Sequence, residues 1–179
     1  FSSSAIRKEL VQKCYNGTPD ITVLADQELQ SLVSASRAAV IGDISGARSS
    51  AHNFTQARVS RYKLLKNTEV NLNGNSSISC PDVEASFEFN EGIPDYVFYA
   101  TSLNSSQIDF ETLVSFLISQ YQPSEFRESY YAFGGLQLLT LSKLMPDFVG
   151  FQKSLLSSTT PSEGIFSKFQ SETFGVGSH

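Results

Sequence analysis

Tryptophan is absent from this 179-residue chain, and cysteine, histidine and methionine are rare, with two, two and one residues. Without tryptophan, recognition of sugars by stacking on a large aromatic face is disfavoured. Two cysteines cannot build a cystine-dense framework. Because the chain has no C-x-x-C motif and no cluster of cysteine and histidine, we expect no metal site, no cofactor and no redox catalysis.

Charge is also scarce. Charged residues make up 17% of the chain, against a usual share of about 25%. The net charge is -5, whereas a nucleic-acid-binding protein is usually basic, so we expect no nucleic-acid partner. No apolar run approaches the roughly 18 residues that a membrane-spanning helix needs. We therefore expect no transmembrane segment.

Motifs for catalysis are missing as well. The chain contains no G-x-S-x-G sequence, no glycine-rich phosphate loop, no zinc-binding helix and no calcium loop. His52 is the one credible base, but it directly precedes a glycosylation motif, which favours a surface or helix-capping role. Glu84 and Glu88 are predicted to share a strand face about 13 Å apart, too far for a glycosidase pair. We predict no catalytic residues.

The motif N-x-S/T is the strongest signal that is present. It occurs at half of the eight asparagines, where chance would give about a fifth, namely at Asn16, Asn53, Asn75 and Asn104. All four lie in polar or turn-like sequence, so we predict a secreted, N-glycosylated chain. We expect it to be a mature protein whose signal peptide has been removed. The alternative is a chance set of motifs in an intracellular protein.

Cys14 and Cys80 are predicted to form a disulfide. Closing so long a loop is worth about 4 kcal/mol in the chain-entropy description. The alternative is two buried free thiols, and the glycosylation motifs favour the bridge.

The predicted fold class is α+β. Residues 68–101 are expected to form an antiparallel β-meander of three to four strands. It would contain a hairpin turn at Asn73-Gly74, an alternating strand over 83–90 and an aromatic strand over 96–101. Helices from both termini are expected to cover the meander, and the disulfide is expected to tie the first helix to it. We expect one extracellular domain over 1–176, with 177–179 an expression remnant.

Charges of opposite sign are segregated along the chain. Residues 44–68 carry basic side chains and no acid, and residues 67–126 carry acids and no lysine or arginine. The candidate basic patch consists of Arg48, Arg58, Arg61, Lys63 and Lys66. Either these charges pair with the acids within the fold, or the two patches stay apart and steer partners of opposite sign.

The aromatic residues, 14 Phe and 7 Tyr, suggest a second kind of site. Six of them are candidates to line a cavity for an apolar ligand: Tyr96, Phe98, Tyr131, Phe133, Phe148 and Phe151. Equally, they are the core that helices packed on a sheet require.

The function predicted from these features is a secreted, N-glycosylated, non-catalytic binding domain that acts through contacts with an extracellular protein. One alternative is an extracellular carrier or storage protein for a hydrophobic small molecule, such as a lipid or pigment. The other is a secreted hydrolase whose carboxylates are brought together by folding. A carrier requires an enclosed apolar void, and a hydrolase requires a cleft with convergent acids, one of them with a raised pKa.

Overall fold

The chain folds as a set of packed helices with one short hairpin. A computed structural model describes residues 8–71, 76–119, 129–157 and 164–174, and it is 82% helical. In chain order the elements are α1 (a π-helical turn, Val11–Tyr15), α2 (Pro19–Ile41), α3 (Ile44–Leu64), β1 (Glu69–Asn71), β2 (Ser77–Ser79), α4 (Cys80–Asn104), α5 (Phe110–Ser119), α6 (Ser129–Leu144), α7 (Phe148–Ser157) and α8 (Ile165–Phe174).

Helices α2 and α3 form a helical hairpin with clear local signals. The Thr18 hydroxyl accepts a hydrogen bond from the Ile21 amide at 3.4 Å, and a proline occupies the first turn of α2. Gly42 ends α2 in the left-handed region with φ of 84°. Asp43 then caps α3, accepting from the Gly46 amide at 2.9 Å.

The predicted α+β fold is wrong. The hairpin is present, with Glu69 opposite Ser79 and Asn71 opposite Ser77, although its turn lies outside the described residues. The other predicted strands, over 83–90 and 96–101, belong to helix α4. A two-stranded sheet is all that the described chain contains of the expected three- to four-stranded meander.

The strand prediction over 83–90 is wrong because two acids of α4 are buried. The alternation of apolar and polar residues in this segment predicts one buried and one solvated strand face. Glu84 and Glu88 are in fact buried, so the interior face of this segment comprises Cys80, Val83, Glu84, Phe87 and Glu88. That is the three-and-four spacing of a helix, concealed by two acids that were assigned to solvent.

Glycines bring α4 and α6 into close contact. A Cβ atom on Gly134 would lie 2.5 Å from the Glu88 carbonyl oxygen and 2.8 Å from the Cα of Gly92. A Cβ atom on Gly135 would lie 2.6 Å from the Tyr99 ring. Both glycines lie inside α6, where their lack of a side chain lets two backbones meet.

The predicted disulfide between Cys14 and Cys80 is confirmed, with a Cα–Cα separation of 5.7 Å. It joins α1 to the first residue of α4 rather than to a meander. Both cysteines are fully buried in the main core. The cross-link therefore fixes the N-terminal turn against the helix that carries Glu84 and Glu88.

Aromatic side chains from α3, α6 and α8 form the centre of the core. The Phe54 ring lies 6.2 Å from Phe133, 6.0 Å from Phe166 and 5.3 Å from Phe169. The last two contacts are edge-to-face, the arrangement that aromatic quadrupoles favour. In the described part of the chain, none of the helices combines the length and apolarity needed to cross a membrane.

Substituting Gly134→Ala tests the close approach of α4 and α6. Helix propensity alone would stabilise this variant by roughly 1 kcal/mol. We expect the free energy of unfolding to fall instead, by about 1–3 kcal/mol, because the new methyl group meets backbone atoms of α4.

Urea denaturation followed by circular dichroism measures this change. Gly150→Ala is the matched control, since its Cβ would meet the Asp147 carboxylate, which can rotate away, and we expect a change within about 1 kcal/mol. A Gly134→Ala variant as stable as the wild type would show that the two backbones are not in contact.

Candidate functional site

Five charged side chains from three helices meet in the interior. Arg58 and Arg61 lie on α3, Glu28 on α2, and Glu84 and Glu88 on α4. All five are at most 3% exposed. We call this set the buried charge cluster.

Arg61 uses most of its donors within the cluster. Its Nε donates to Glu28 Oε1 at 2.5 Å and its Nη2 to Glu28 Oε2 at 3.0 Å. Nη1 donates to Glu84 Oε1 at 2.6 Å, and Nη2 also reaches Glu84 Oε2 at 2.8 Å. Nη1 further donates to the Cys14 carbonyl oxygen at 2.9 Å. One guanidinium thus joins α2, α3, α4 and the disulfide-bonded turn α1.

Arg58 has fewer polar partners and more aromatic ones. Its Nε donates to Glu28 Oε2 at 2.8 Å, and its Nη1 donates to Glu88 Oε1. Its guanidinium carbon lies 4.6 Å from the centroid of Phe54 and 5.0 Å from those of Phe133 and Phe166. The buried Nη2 has no hydrogen-bond partner among the described residues. The surrounding rings therefore supply part of the stabilisation that water would otherwise give this cation.

The charges of the cluster do not cancel. Two guanidinium groups against three carboxylates leave +2 - 3 = -1 when all are ionised. Burial raises the pKa of Glu88, although the charge of Arg58 opposes that shift. Tyr62 donates its hydroxyl to Glu84 Oε2 at 3.0 Å, and burial raises the pKa of this phenol well above its ordinary value.

This arrangement can hold helices together but does not present a reactive group to a substrate. The acids converge as the hydrolase alternative required, yet they meet guanidinium groups in the interior instead of an open cleft. A general acid or base must come within hydrogen-bond reach of its substrate. In the described residues, no group of three or more His, Cys, Asp and Glu side chains could hold a metal ion.

The five residues of the predicted basic patch do not share a surface. Arg58 and Arg61 are buried. Arg48 is half-buried and donates to the Glu172 carbonyl oxygen at 3.1 Å. Lys63 and Lys66 are exposed. Arg58 and Arg61 are thus paired with acids inside the fold, as the first of the two alternatives supposed, and these pairs are buried.

The three glycosylation motifs whose asparagines the structure describes lie in different settings. Asn53 is exposed within α3, and Asn104 is exposed at the last residue of α4. Asn16 is half-buried, and its buried Oδ1 has no hydrogen-bond partner among the described residues. Asn75 lies outside the described residues.

The described members of the six residues predicted to line an apolar cavity are scattered over core and surface. Phe133 is sealed in the core, while Phe98 is 54% exposed. Tyr96, Phe148 and Phe151 pack in edge-to-face or tilted contacts between α4 and α7. The side chain of Tyr131 lies outside the described residues.

The open clefts at the surface of the described chain include the following two. One, of about 580 Å³, runs between α7 and α8 and is lined by Met145, Pro146, Asp147, Gly150, Phe151, Ser154, Lys168 and Glu172. Lys168 and Glu172 form an ion pair across 2.8 Å there. The other, of about 350 Å³, lies between α2 and α3 and contains Asn53.

Asp95 on α4 is a carboxyl group with a pKa raised to about 6, chiefly because burial disfavours its charged form. The Tyr99 hydroxyl donates to it and partly offsets the shift, whereas the nearby Glu91 charge adds to it. His52, the base considered from sequence, is hydrogen-bonded at Nε2 to Gln56 Nε2 at 2.8 Å, one helical turn away.

Replacing Arg61 tests the role of the buried charge cluster. In Arg61→Met, Glu28 and Glu84 lose their principal donor, and we expect the free energy of unfolding to fall by about 3–5 kcal/mol. Lys63→Met on the same helix is the matched control, because Lys63 is exposed, and its effect should stay within about 0.5 kcal/mol. Equal losses in the two variants, measured by urea unfolding, would rule out the role we assign.

Asp95→Asn tests the raised pKa. Since the folded-state pKa of about 6 lies above the ordinary 3.8, the folded chain holds this proton more tightly than the unfolded chain. Wild-type stability is therefore lost as the pH rises through the interval between these values. Relative to the wild type, we expect Asp95→Asn to gain about 1 kcal/mol between pH 4 and pH 7, after allowance for solvent screening. A pH-independent difference in urea midpoints would contradict the shift.

Comparison with protein families, with curated proteins and with solved structures finds no significant match to this chain.

Proposed function

We propose that this chain is a secreted, N-glycosylated, non-catalytic domain that binds an extracellular protein through the outer face of α4. We define the α4 outer face as Pro94, Val97, Phe98 and Thr101. The observation that carries the proposal is the exposure of two large apolar side chains on this face, Val97 and Phe98, each at 54%.

The spacing of these residues makes them a continuous stripe. Positions 94, 97, 98 and 101 recur at three and four residues, so they lie on one side of a helix, and all four are exposed. Isolated apolar side chains on a surface are ordinary, whereas adjacent ones in a stripe are typical of contact sites. Aromatic residues are enriched at the centres of protein interfaces.

The charges beside the α4 outer face indicate the kind of partner. Glu91 and Asp95 lie on the same helix and are half-buried, and no lysine or arginine occurs in residues 67–126. A partner with an apolar pocket for Phe98 and basic side chains around it would be complementary.

Secretion is supported by two independent features. The disulfide between Cys14 and Cys80 is of a kind that persists in oxidising compartments. The glycosylation motifs at Asn53 and Asn104 present exposed side chains, as an attached glycan requires.

The non-catalytic part of the proposal is supported by the position of the ionisable groups. The described carboxylates that converge most closely are sealed with Arg58 and Arg61. Those of the six aromatic residues considered for an apolar ligand that the structure describes are distributed over core and surface, which gives the carrier alternative no specific support.

Paired variants test the binding face. The glycosylated chain, made in a secretory host, would be immobilised and exposed to the extracellular fraction of its source organism. We expect a protein to be retained, and we expect Val97→Asp with Phe98→Asp to reduce its binding at least about tenfold. Val149→Asp with Leu156→Asp is the matched control, since both are exposed apolar residues of α7, at 61% and 73%.

A photo-crosslinker at position 98 would identify the retained protein, and one at position 149 would give the background. Equal losses in both variant pairs, or no loss in either, would contradict binding through α4. Mass spectrometry of the natively isolated chain tests secretion separately, and bare asparagines together with two free thiols would overturn it.

A further inference from the structure

The groove between α2 and α3 has an unusual lining. Its walls come from Leu24, Gln27 and Ser31 of α2 and from Gln56, Ala57 and Ser60 of α3. We call it the α2–α3 groove. None of these side chains is charged, although the chain has 31 residues of Asp, Glu, Lys and Arg.

The chemistry of the lining fits an N-acetylated sugar. The amides of Gln27 and Gln56 and the hydroxyls of Ser31 and Ser60 can each donate and accept hydrogen bonds, as a set of sugar hydroxyls requires. Leu24 and Ala57 offer an apolar surface for an acetamido methyl group. Without a charged group, the groove has no complement for a phosphate, a carboxylate or a cation.

Asn53 lines the same groove and carries the motif Asn-Phe-Thr. It lies within α3, so its backbone is fixed by the helix. Gln56, Ala57 and Ser60 follow it at three, four and seven residues, which places them on the same side of α3. A sugar attached to Asn53 would begin inside the groove.

Thr55, the third residue of the motif, has a different environment from Asn53. Its side chain is buried and donates a hydrogen bond to the Ala51 carbonyl oxygen at 3.0 Å. An enzyme that must contact this hydroxyl has no access to it in the folded chain. Modification of Asn53 therefore has to precede the folding of α3, as it does for a chain that is glycosylated during its synthesis.

We infer that Asn53 bears an N-linked glycan whose first N-acetylglucosamine lies in the α2–α3 groove and bridges the two helices. In the transfer, the Asn53 amide nitrogen bonds to the sugar C1 of a lipid-diphosphate-linked oligosaccharide. The bond from C1 to the diphosphate breaks, the amide loses one proton, and the lipid diphosphate leaves. The inference rests on the proposed passage of the chain through a glycosylating compartment.

Accessibility of the glycan is the first test. The full chain would be made in a eukaryotic secretory host and treated, folded, with an amidase that cleaves between asparagine and the first sugar. We expect release at Asn53 to be at least roughly tenfold slower than at Asn104, which lies exposed at the last residue of α4. After denaturation the two rates should be equal.

The groove itself is tested by Gln27→Ala with Ser31→Ala. We expect this double variant to bring release at Asn53 to within about threefold of release at Asn104. A matched pair on the exposed side of α7, Ser154→Ala with Ser157→Ala, should leave the ratio unchanged. Equal release at Asn53 and Asn104 in the folded wild type would overturn the inference.

Thermal stability provides a second readout. Asn53→Gln should lower the melting temperature of the glycosylated chain by about 2–4 °C, and Asn104→Gln should not. In protein from a bacterial host, which carries no glycan, Asn53→Gln should have no effect. A loss of equal size in both hosts would overturn the inference, because it would belong to the asparagine side chain.

Mass spectrometry of which asparagines carry a glycan distinguishes failure of this inference from failure of the proposed function on which it rests. An unmodified Asn53 beside a glycosylated Asn104 overturns the inference and leaves the secretory proposal standing. Bare asparagines at both positions, together with free thiols at Cys14 and Cys80, overturn both.

Discussion

Pairing of two buried guanidinium groups with three carboxylates is the constraint on which this structure depends. Ions removed from water are tolerated only where geometry supplies nearly all of their partners, so the registers of α2, α3 and α4 are fixed together. Arg61 contacts Glu28, Glu84 and the Cys14 carbonyl oxygen, and the disulfide ties Cys14 to α4. Covalent and ionic constraints thus act on the same two elements. Apolar packing alone would allow helices to slide, whereas a shift of one residue here would leave a buried charge unpaired.

The close glycine contact between α4 and α6 links the position of α6 to the buried charge cluster. The carbonyl oxygen of Glu88 is the atom nearest to a Cβ built on Gly134, while the side chain of Glu88 pairs with Arg58. One residue therefore faces the charge cluster with its carboxylate and α6 with its backbone. Phe133, next to Gly134, stacks its ring near the Arg58 guanidinium. The aromatic side chains at the centre of the core therefore pack directly against the buried charge cluster.

Local signals in the sequence were sufficient for part of this structure. The hairpin around residues 69–79 and the ending of α2 at Gly42 follow from neighbouring residues and their turn preferences. The disulfide joins residues 66 apart, and it was predicted because Cys14 and Cys80 are the two cysteines of a chain whose glycosylation motifs indicate an oxidising compartment. The predicted meander failed at Glu84 and Glu88, because an acid is normally solvated and its burial depends on arginines 23 and 30 residues away. Glu28 was missed altogether, although its place between Ala25, Leu29 and Leu32 on the apolar face of α2 was a usable signal. The surface stripe of α4 could not be found until the segment was known to be helical.

Because the buried charge cluster removes five charged side chains from the surface, it also changes the surface charge that a binding partner would meet. Removing its members leaves 13 - 2 = 11 basic and 18 - 3 = 15 acidic residues, so the rest of the chain carries -4. Arg58 and Arg61 of the basic segment 44–68 lie in the interior. On α4, Glu91 and Asp95 remain beside the α4 outer face. Asn104 follows Phe98 by six residues, about 9 Å along the helix axis. A glycan there would restrict the C-terminal end of the stripe, so a protein partner would have to approach over Pro94 and Phe98, where the acidic side chains lie.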